Sequence, residues 1–174
     1  SDGFNRWEAG QRLAIDVIQE MIADIHKNAT EQVGTGAEIT VDQRLISACS
    51  SVLEQAIAAG KDPRFDRAMI AAMLILPSES YLAELQDVVD VDAIHEARER
   101  VRREIAIRLR PQLMAIYELC EGGQTYEATG SEIGRRDLRN VALAYLMQAG
   151  DEESLALCRQ QFETAICMSD TAAA

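Results

Sequence analysis

Apolar residues recur every three or four positions along most of the chain, which is the spacing of one face of an α-helix. No segment alternates apolar and polar residues as a half-buried strand would. The longest apolar ladder runs through Ile94, Ala97, Val101, Ile105, Leu109, Leu113, Ile116 and Cys120. Pro111 falls inside this ladder, so we expect one helix kinked near Ile107, with two separate helices as the lesser option.

The most apolar segment is 62–78, and we expect it to be the central helix of the fold. Asp62 is a favourable N-cap, Pro63 suits the first helical position, and Pro77 ends the segment. Residues 68–76 include no polar side chain, so other elements should cover this helix on every side. The run is too short to cross a bilayer, which needs about 20 apolar residues.

Capping residues and glycines divide the rest of the chain into further amphipathic helices. We expect helix starts at Asn5, Thr40, Ser78, Asp90 or Asp92, Arg135, Asp151 and Ser169, and breaks at Val33–Gly36, Gly60, Glu121–Gly123 and Gly150. The helix after Ser78 should reach Val88 and Val89, and the inward residues after Asp151 should be Leu155, Cys158, Phe162, Ala165 and Ile166. The pattern predicts an all-α fold: an irregular, HEAT- or armadillo-like solenoid of about six to seven antiparallel helices, with residues 1–174 in one domain.

Composition and charge narrow the class of protein. The chain has 174 residues, of which 48% are hydrophobic, so it can bury a globular core. The net charge of −12 argues against nucleic acid as a partner, because phosphates favour a basic surface. No apolar stretch predicts a membrane span or a signal peptide. The chain begins at Ser1, and a helix-start signal at Ser169–Asp170 is followed by only four residues, so we expect it to be part of a larger protein.

Four cysteines, Cys49, Cys120, Cys158 and Cys167, fall in apolar helical surroundings, and none forms a CxxC pair. We interpret them as small buried side chains in a reducing compartment, the cytoplasm, and a zinc or disulfide role is the alternative. The methionines Met69, Met73, Met114, Met147 and Met168 are expected to fill the core.

A partial metalloprotease signature begins at His95. His95 and Glu96 match the first two positions of HExxH, but Glu99 stands where the second zinc-binding histidine is required. The other histidine, His26, is distant in sequence. A zinc site is therefore not expected.

Six arginines lie in and near the long helix: Arg98, Arg100, Arg102, Arg103, Arg108 and Arg110. We interpret them mainly as a solvated face with the pairs Glu96–Arg100, Glu99–Arg103 and Glu104–Arg108. The alternative is that Arg98, Arg102 and Arg110 dock a partner.

Two further polar segments lack the context that catalysis or nucleotide binding needs. Gly134-Arg135-Arg136 follows no strand and has no phosphate-loop pattern. Thr129 and Ser131 have no histidine near them in sequence, so a hydrolase site would have to be assembled without a supporting motif.

Several stretches of the chain resemble the C-terminal helical domain of the aminopeptidase N family, zinc-dependent alanyl aminopeptidases of the bacterial type. They are Phe4–Ala9, Leu76–Glu79, Gly134–Asn140 with Ala144–Leu146, Gln161–Phe162 and Met168–Ala173. Their order and spacing match over essentially the whole chain. The departures are Cys167, where asparagine is expected, and Pro111, where a continuous helix is expected.

The resemblance implies a parent enzyme that releases N-terminal residues, alanine and others, from peptides. Its zinc and its amine-binding segment would lie N-terminal to this region, so the chain itself is expected to carry no catalytic, cofactor-binding or metal-binding residue. Its expected partners are the catalytic domain, the remaining C-terminal helices and, in the parent, peptide substrates whose access it restricts by walling the cavity. Without those neighbours, apolar surface near Phe162 and Ile166 should favour self-association. The alternative functions are an independent helical-repeat module that binds a protein or peptide and, last, a self-contained hydrolase.

Overall fold

The computed structural model describes residues 2–30, 40–122 and 125–174, and all regular secondary structure in these ranges is helical. The α-helices are α1 Asp2–Thr30, α2 Gln43–Ala59, α3 Arg67–Leu74, α4 Glu79–Glu84, α5 Val91–Arg108, α6 Arg110–Leu119, α7 Gly130–Leu146, α8 Glu152–Thr164 and α9 Met168–Ala173, with a 3₁₀ helix at Met147–Ala149. The predicted all-helical, solenoid-like stack is confirmed. Within the described ranges no helix is long and apolar enough to cross a membrane.

The long apolar ladder is divided between two helices rather than placed on one kinked helix. The interruption is at Leu109, whose φ of −110° and ψ of 16° are not helical. The Leu109 N–H still donates to the Ile105 carbonyl, and the Leu113 N–H donates to the Leu109 carbonyl, both at 2.9 Å. Pro111 lies in the first turn of α6, where its missing N–H is tolerated. The lesser option, two helices, is therefore correct, although every residue of the ladder is buried as predicted.

The apolar segment forms a shorter helix than predicted. Helix α3 begins after Asp66, whose carboxylate accepts the Met69 N–H at 2.9 Å. The predicted cap, Asp62, instead accepts from Arg64 within the preceding turn. Ile75 lies just beyond the helix and is 54% exposed, so the prediction that the whole segment is covered was wrong.

Helix α3 is nevertheless central, because it packs against α1, α2 and α7. Its buried residues are Arg67, Ile70, Ala71 and Leu74. At its C-terminal end the Tyr145 hydroxyl of α7 donates to the Leu74 carbonyl at 2.6 Å. At its N-terminal end, the α3 backbone lies so close to Gly134 of α7 that no side chain would fit between the two helices. Both ends of α3 are therefore in direct contact with α7.

Several predicted helix boundaries are confirmed. Ser78, Asp90 and Asp151 are N-caps that accept the N–H of the third residue after them, and Gly60 and Gly150 end their segments at φ values of 56° and 65°. Four further predicted starts were wrong: α1 is already helical at Asp2 rather than at Asn5, Asp42 rather than Thr40 caps α2, α7 begins after Thr129 rather than at Arg135, and α9 begins after Cys167 rather than at Ser169. The predicted breaks at Val33–Gly36 and Gly123 lie outside the described residues.

Two apolar predictions fail near the surface. Helix α4 ends at Glu84, and Val88 beyond it is 83% exposed. On α8, Leu155 and Phe162 are exposed, and so is Ile166 in the segment after it, while Ser154 and Gln161 are buried. The inward face of α8 therefore combines these polar residues with Leu157 and Cys158, which pack against the core.

The close approach at Gly134 makes a stability prediction. A Cβ at this position would lie 2.8 Å from the Ala68 backbone nitrogen, so one helix must shift to accept it. We expect Gly134→Ala to lower the free energy of unfolding by about 1–3 kcal/mol. The matched control is Gly10→Ala, where a Cβ meets nothing within 4 Å and the loss of backbone freedom should raise stability by about 0.5–1 kcal/mol. Urea unfolding of both variants measures these free energies. Equal changes in the two variants would contradict the prediction of a close contact at Gly134.

Candidate functional site

The two histidines bind separate carboxylates. His95 Nδ1 lies 2.9 Å from Glu79 Oε1, and this hydrogen bond raises the pKa of His95 above its usual value. His26 Nε2 lies 2.8 Å from Asp90 Oδ2, at the start of α5. Among the residues that the structure describes, no group of three His, Cys, Asp or Glu side chains could hold a metal ion. The donor set therefore does not fit a zinc centre.

The arginine run forms ion pairs within α5 and hydrogen bonds to other elements. Arg100 pairs with Glu96 as predicted, but Glu99 binds Arg102 at 2.8 Å rather than Arg103, and Arg108 donates to Gln43 of α2. Arg98 donates to the Pro77 carbonyl at 2.9 Å. The predicted pairs of Glu99 and Glu104 were therefore wrong.

Arg110 connects α6 to the beginning of α8. It lies 2.9 Å from Asp151 and 2.8 Å from Glu153, and it also donates to the Ser154 hydroxyl. Because these contacts use its guanidinium, Arg110 is a structural residue that positions α8. It does not present a free charge for docking.

The polar residues around the start of α7 are also structural. Thr129 caps the helix by accepting the Glu132 N–H. Arg135 donates to the Cys120 carbonyl, and buried Arg136 donates to the Glu127 carbonyl at 3.0 Å while its guanidinium lies over the Tyr126 ring. The pair Arg135-Arg136 thus attaches the connection between α6 and α7 to α7.

All four cysteines are free, and two of them are fully buried. Burial raises the pKa of the Cys49 thiol to about 11 and also raises that of Cys120. Cys158 and Cys167 are half-buried, so the prediction of burial holds for two residues only. Met168 is 82% exposed and is not core filler.

A buried polar junction joins α7, α8 and α9, and we take it as the candidate site. Gln161 of α8 is 1% exposed. Its Nε2 group donates to Asn140 Oδ1 on α7 at 2.8 Å and to the Asp170 carbonyl on α9 at 3.2 Å. Asn140 Nδ2 donates in turn to Asp170 Oδ1 at 3.0 Å. Three helices that pack around this point are therefore connected by a closed set of hydrogen bonds.

A polar cavity of about 260 Å³ adjoins the junction. Residues of its wall include Glu121, Arg135, Arg139, Gln161, Thr164 and Asp170. The Arg139 guanidinium lies 4.4 Å from the centre of the Tyr117 ring, and burial raises the pKa of that tyrosine. Arg139 Nε and Gln161 Oε1, on two residues that line the cavity, are buried atoms without a hydrogen-bond partner. The one hydroxyl among the described lining residues, that of Thr164, donates to the Gln160 carbonyl rather than to a base.

Sequence reasoning named Asn140, Gln161 and Asp170 only as part of a resemblance, not as a site. The structure brings the three residues together, although Asn140 lies 21 residues before Gln161 and 30 before Asp170. One signal could have indicated this: Ser154 and Gln161 are polar residues seven positions apart, which places them on one face of α8. Both are buried, whereas their apolar neighbours are not.

Comparison with known proteins identifies the family that this chain resembles. The profile of the family described as "Domain of unknown function (DUF3458_C) ARM repeats" matches residues 1–174. Aminopeptidase N of Escherichia coli is 32% identical over 171 residues, which are 98% of this chain and 18% of that protein. Aminopeptidase N of Caulobacter vibrioides is 32% identical over 170 residues, with the same coverage of both chains. The chain thus spans about a fifth of these relatives, and the resemblance inferred from the sequence is confirmed.

The fold has a counterpart among solved structures. A crystal structure of Legionella pneumophila aminopeptidase A in complex with aspartic acid matches 99% of this chain and 19% of its own length, with a TM-score of 0.69. At 23% identity this match supports the helical fold.

The junction makes a second prediction. Replacing Gln161 with methionine keeps the side-chain length but leaves Asn140 Oδ1 and the Asp170 carbonyl without their donor. We expect Gln161→Met to lower the free energy of unfolding by about 1–3 kcal/mol, the cost of unpaired buried polar groups. The control Gln160→Met alters an exposed neighbour, and its free energy of unfolding should stay within about 0.5 kcal/mol of that of the unsubstituted chain. Chemical denaturation of both variants measures the change in the free energy of unfolding. An unchanged free energy for Gln161→Met would show that the junction contributes no stability.

Proposed function

The chain belongs to the family of ARM-repeat domains whose profile matches residues 1–174, and on that premise we propose that it is a non-catalytic helical domain of a zinc-dependent aminopeptidase. The observation that carries the proposal is the 32% identity to aminopeptidase N along 98% of this chain. In the parent enzyme, a separate domain would hold zinc and remove N-terminal amino acids, alanine among them, from peptides. This domain would wall the cavity and restrict which peptides enter it.

The side-chain chemistry described above supports a structural role. In the described ranges Arg98, Arg108 and Arg110 and the N-terminal residues of α7 bind neighbouring elements, and the histidines lie in separate pairs with carboxylates. Free cysteines agree with a cytoplasmic location, where thiols stay reduced. The partners we propose are the catalytic domain and further helices of the same enzyme. A net charge of −12 disfavours nucleic acid.

The proposal predicts how the purified chain behaves in an activity assay. It should release no 4-nitroaniline from alanine 4-nitroanilide and should retain less than one equivalent of zinc after dialysis. Absorbance at the nitroaniline band and elemental analysis measure these two properties, with aminopeptidase N of Escherichia coli as the positive control. Zinc-dependent turnover by the pure chain would refute a non-catalytic role.

We propose that the exposed apolar residues of α8, of the segment after it and of the start of α9 contact the rest of the enzyme. Its members are Leu155, Phe162, Ile166 and Met168, which are 39%, 59%, 43% and 82% exposed. Exposed apolar surface of this kind is typical of an interface. In the isolated chain the same surface should drive self-association.

Sedimentation equilibrium tests this surface. We expect the isolated chain to associate at high concentration, and Phe162→Gln to weaken the association at least about threefold by removing apolar area from the surface. The control Val88→Gln removes an apolar side chain between α4 and α5 that is even more exposed, at 83%, and should leave association unchanged. A strictly monomeric chain, or equal effects of the two substitutions, would contradict the assignment.

A further inference from the structure

The two side chains that attach the start of α4 to α5 differ in how they respond to pH. Arg98 of α5 donates to the Pro77 carbonyl at 2.9 Å, and an arginine does not lose its proton in proteins. One turn earlier on α5, His95 Nδ1 lies 2.9 Å from Oε1 of Glu79, the first residue of α4. Imidazole is the side chain whose charge ordinarily changes near neutral pH. The same short segment is therefore held by one permanent contact and one titratable contact.

Helix α4 depends on such contacts because it has little stability of its own. It spans six residues, Glu79–Glu84, and packs mainly against α5. A helix this short is not stable in isolation. Within it only Leu82 is buried, whereas Tyr81 is exposed. The contact between the first residue of α4 and His95 therefore contributes to keeping the helix in place.

Protonation changes the contact itself. In the imidazolium form both ring nitrogens carry a proton, so Nδ1 of His95 always donates to the Glu79 carboxylate and the hydrogen bond joins opposite charges. In the neutral form only one of the two tautomers carries a proton on Nδ1, and in the other a lone pair faces the carboxylate. The contact therefore weakens when His95 loses its proton.

The charged groups around His95 are Glu79 of α4 and, on α5 itself, Glu99 and Arg98. The hydrogen bond and the charge of Glu79 raise the pKa of His95 above its usual value, Glu99 raises it further, and Arg98 lowers it. Because the pKa is raised when α4 is attached, His95 stabilises the attached state fully below its usual pKa of about 6.5. This contribution is lost as the pH rises through the pKa of the attached state.

The segment that His95 holds is also one wall of an apolar groove. The groove has a volume of about 740 Å³ and lies between α1 and the region where α3 leads into α4. Trp7 and Ile15 line it from α1, and Pro77 and Tyr81 line it from the other side. Trp7 is the single tryptophan of the chain, so tryptophan fluorescence reports on this groove.

We propose that His95 makes the α4 wall of this groove pH-dependent. Protonated His95 holds Glu79 and keeps α4 against α5, and deprotonation lets α4 detach more often, while the Arg98 contact and buried Leu82 limit how far it moves. His95 and Glu79 are 64% and 40% exposed, so water screens the pair and the effect is local and modest. The inference uses no property of the proposed aminopeptidase.

Amide hydrogen exchange of the intact chain tests the proposal. The reporters are the Leu82 N–H, which donates to the Ser78 carbonyl, and the Leu85 N–H, which donates to the Leu82 carbonyl. We expect their protection factors, corrected for the pH dependence of intrinsic exchange, to fall about two- to threefold between about pH 5.5 and pH 8. Quenching of Trp7 fluorescence by acrylamide should rise over the same range, because a detached α4 uncovers the groove.

Three variants identify the group that responds. His95→Gln keeps a polar side chain that does not titrate, and it should remove the pH dependence of both readouts. Glu79→Gln should do the same and should lower the midpoint of the His95 NMR titration. The matched control is His26→Gln, because His26 is the other histidine and also binds a carboxylate beside α5, that of Asp90. This control should respond to pH as the unsubstituted chain does.

Two kinds of result would overturn the proposal. One is an unsubstituted chain in which α4 protection and Trp7 quenching stay constant with pH, even if the His95 signal itself titrates. The other is a pH response that persists in His95→Gln or disappears in His26→Gln.

Discussion

The close packing of α3 against α7 is the constraint on which the rest of the stack depends. Gly134 lets the two backbones meet at one end of α3, and the Tyr145 hydroxyl binds the last carbonyl of α3 at the other. Helix α3 also contacts α1 and α2, so it connects the earlier helices to α7 in addition to the direct contacts of α1 with α5 and of α2 with α6. Because a short helix gains little stability by itself, these tertiary contacts are what make it a fixed element.

Later in the chain, the polar junction of α7, α8 and α9 fixes how these three helices pack. On α8, Leu155 and Phe162 are exposed, whereas Gln161 is buried and its Nε2 group donates to Asn140 and to the Asp170 carbonyl. These hydrogen bonds favour one rotation of α8 and one position of α9, because breaking them would leave buried acceptors unpaired. The exposed apolar residues of α8 stay on the outside in that rotation. The same network that orders the junction thus creates the surface that we assign to the interface.

The sequence pattern predicted the elements that depend on local chemistry. The ladder through α5 and α6 is buried at every position, and Ser78, Asp90 and Asp151 cap the helices that follow them, because spacing and capping involve neighbouring residues only. The sequence pattern did not predict the features that depend on contacts between residues distant in sequence. Asp62 has the residue type of a cap, yet Arg64 binds its carboxylate and Asp66 starts the helix. Likewise, nothing local to α8 reveals that Gln161 meets Asn140 and Asp170, which is why the candidate site was not predicted.

Carboxylates begin four of the helices, since Asp42, Asp66, Asp90 and Asp151 each accept a backbone N–H at a helix start. Hydrogen bonds from the Arg44 side chain and backbone lower the pKa of Asp42, and backbone N–H groups do the same for Asp90 and Asp151. A carboxylate with a lowered pKa stabilises the fold above its unfolded pKa, and this contribution is lost as the pH falls through the folded value. Acid would therefore weaken α2, α5 and α8 together, although they lie far apart in sequence. Acidification should therefore destabilise several helix starts at the same time instead of unfolding the stack progressively from one end.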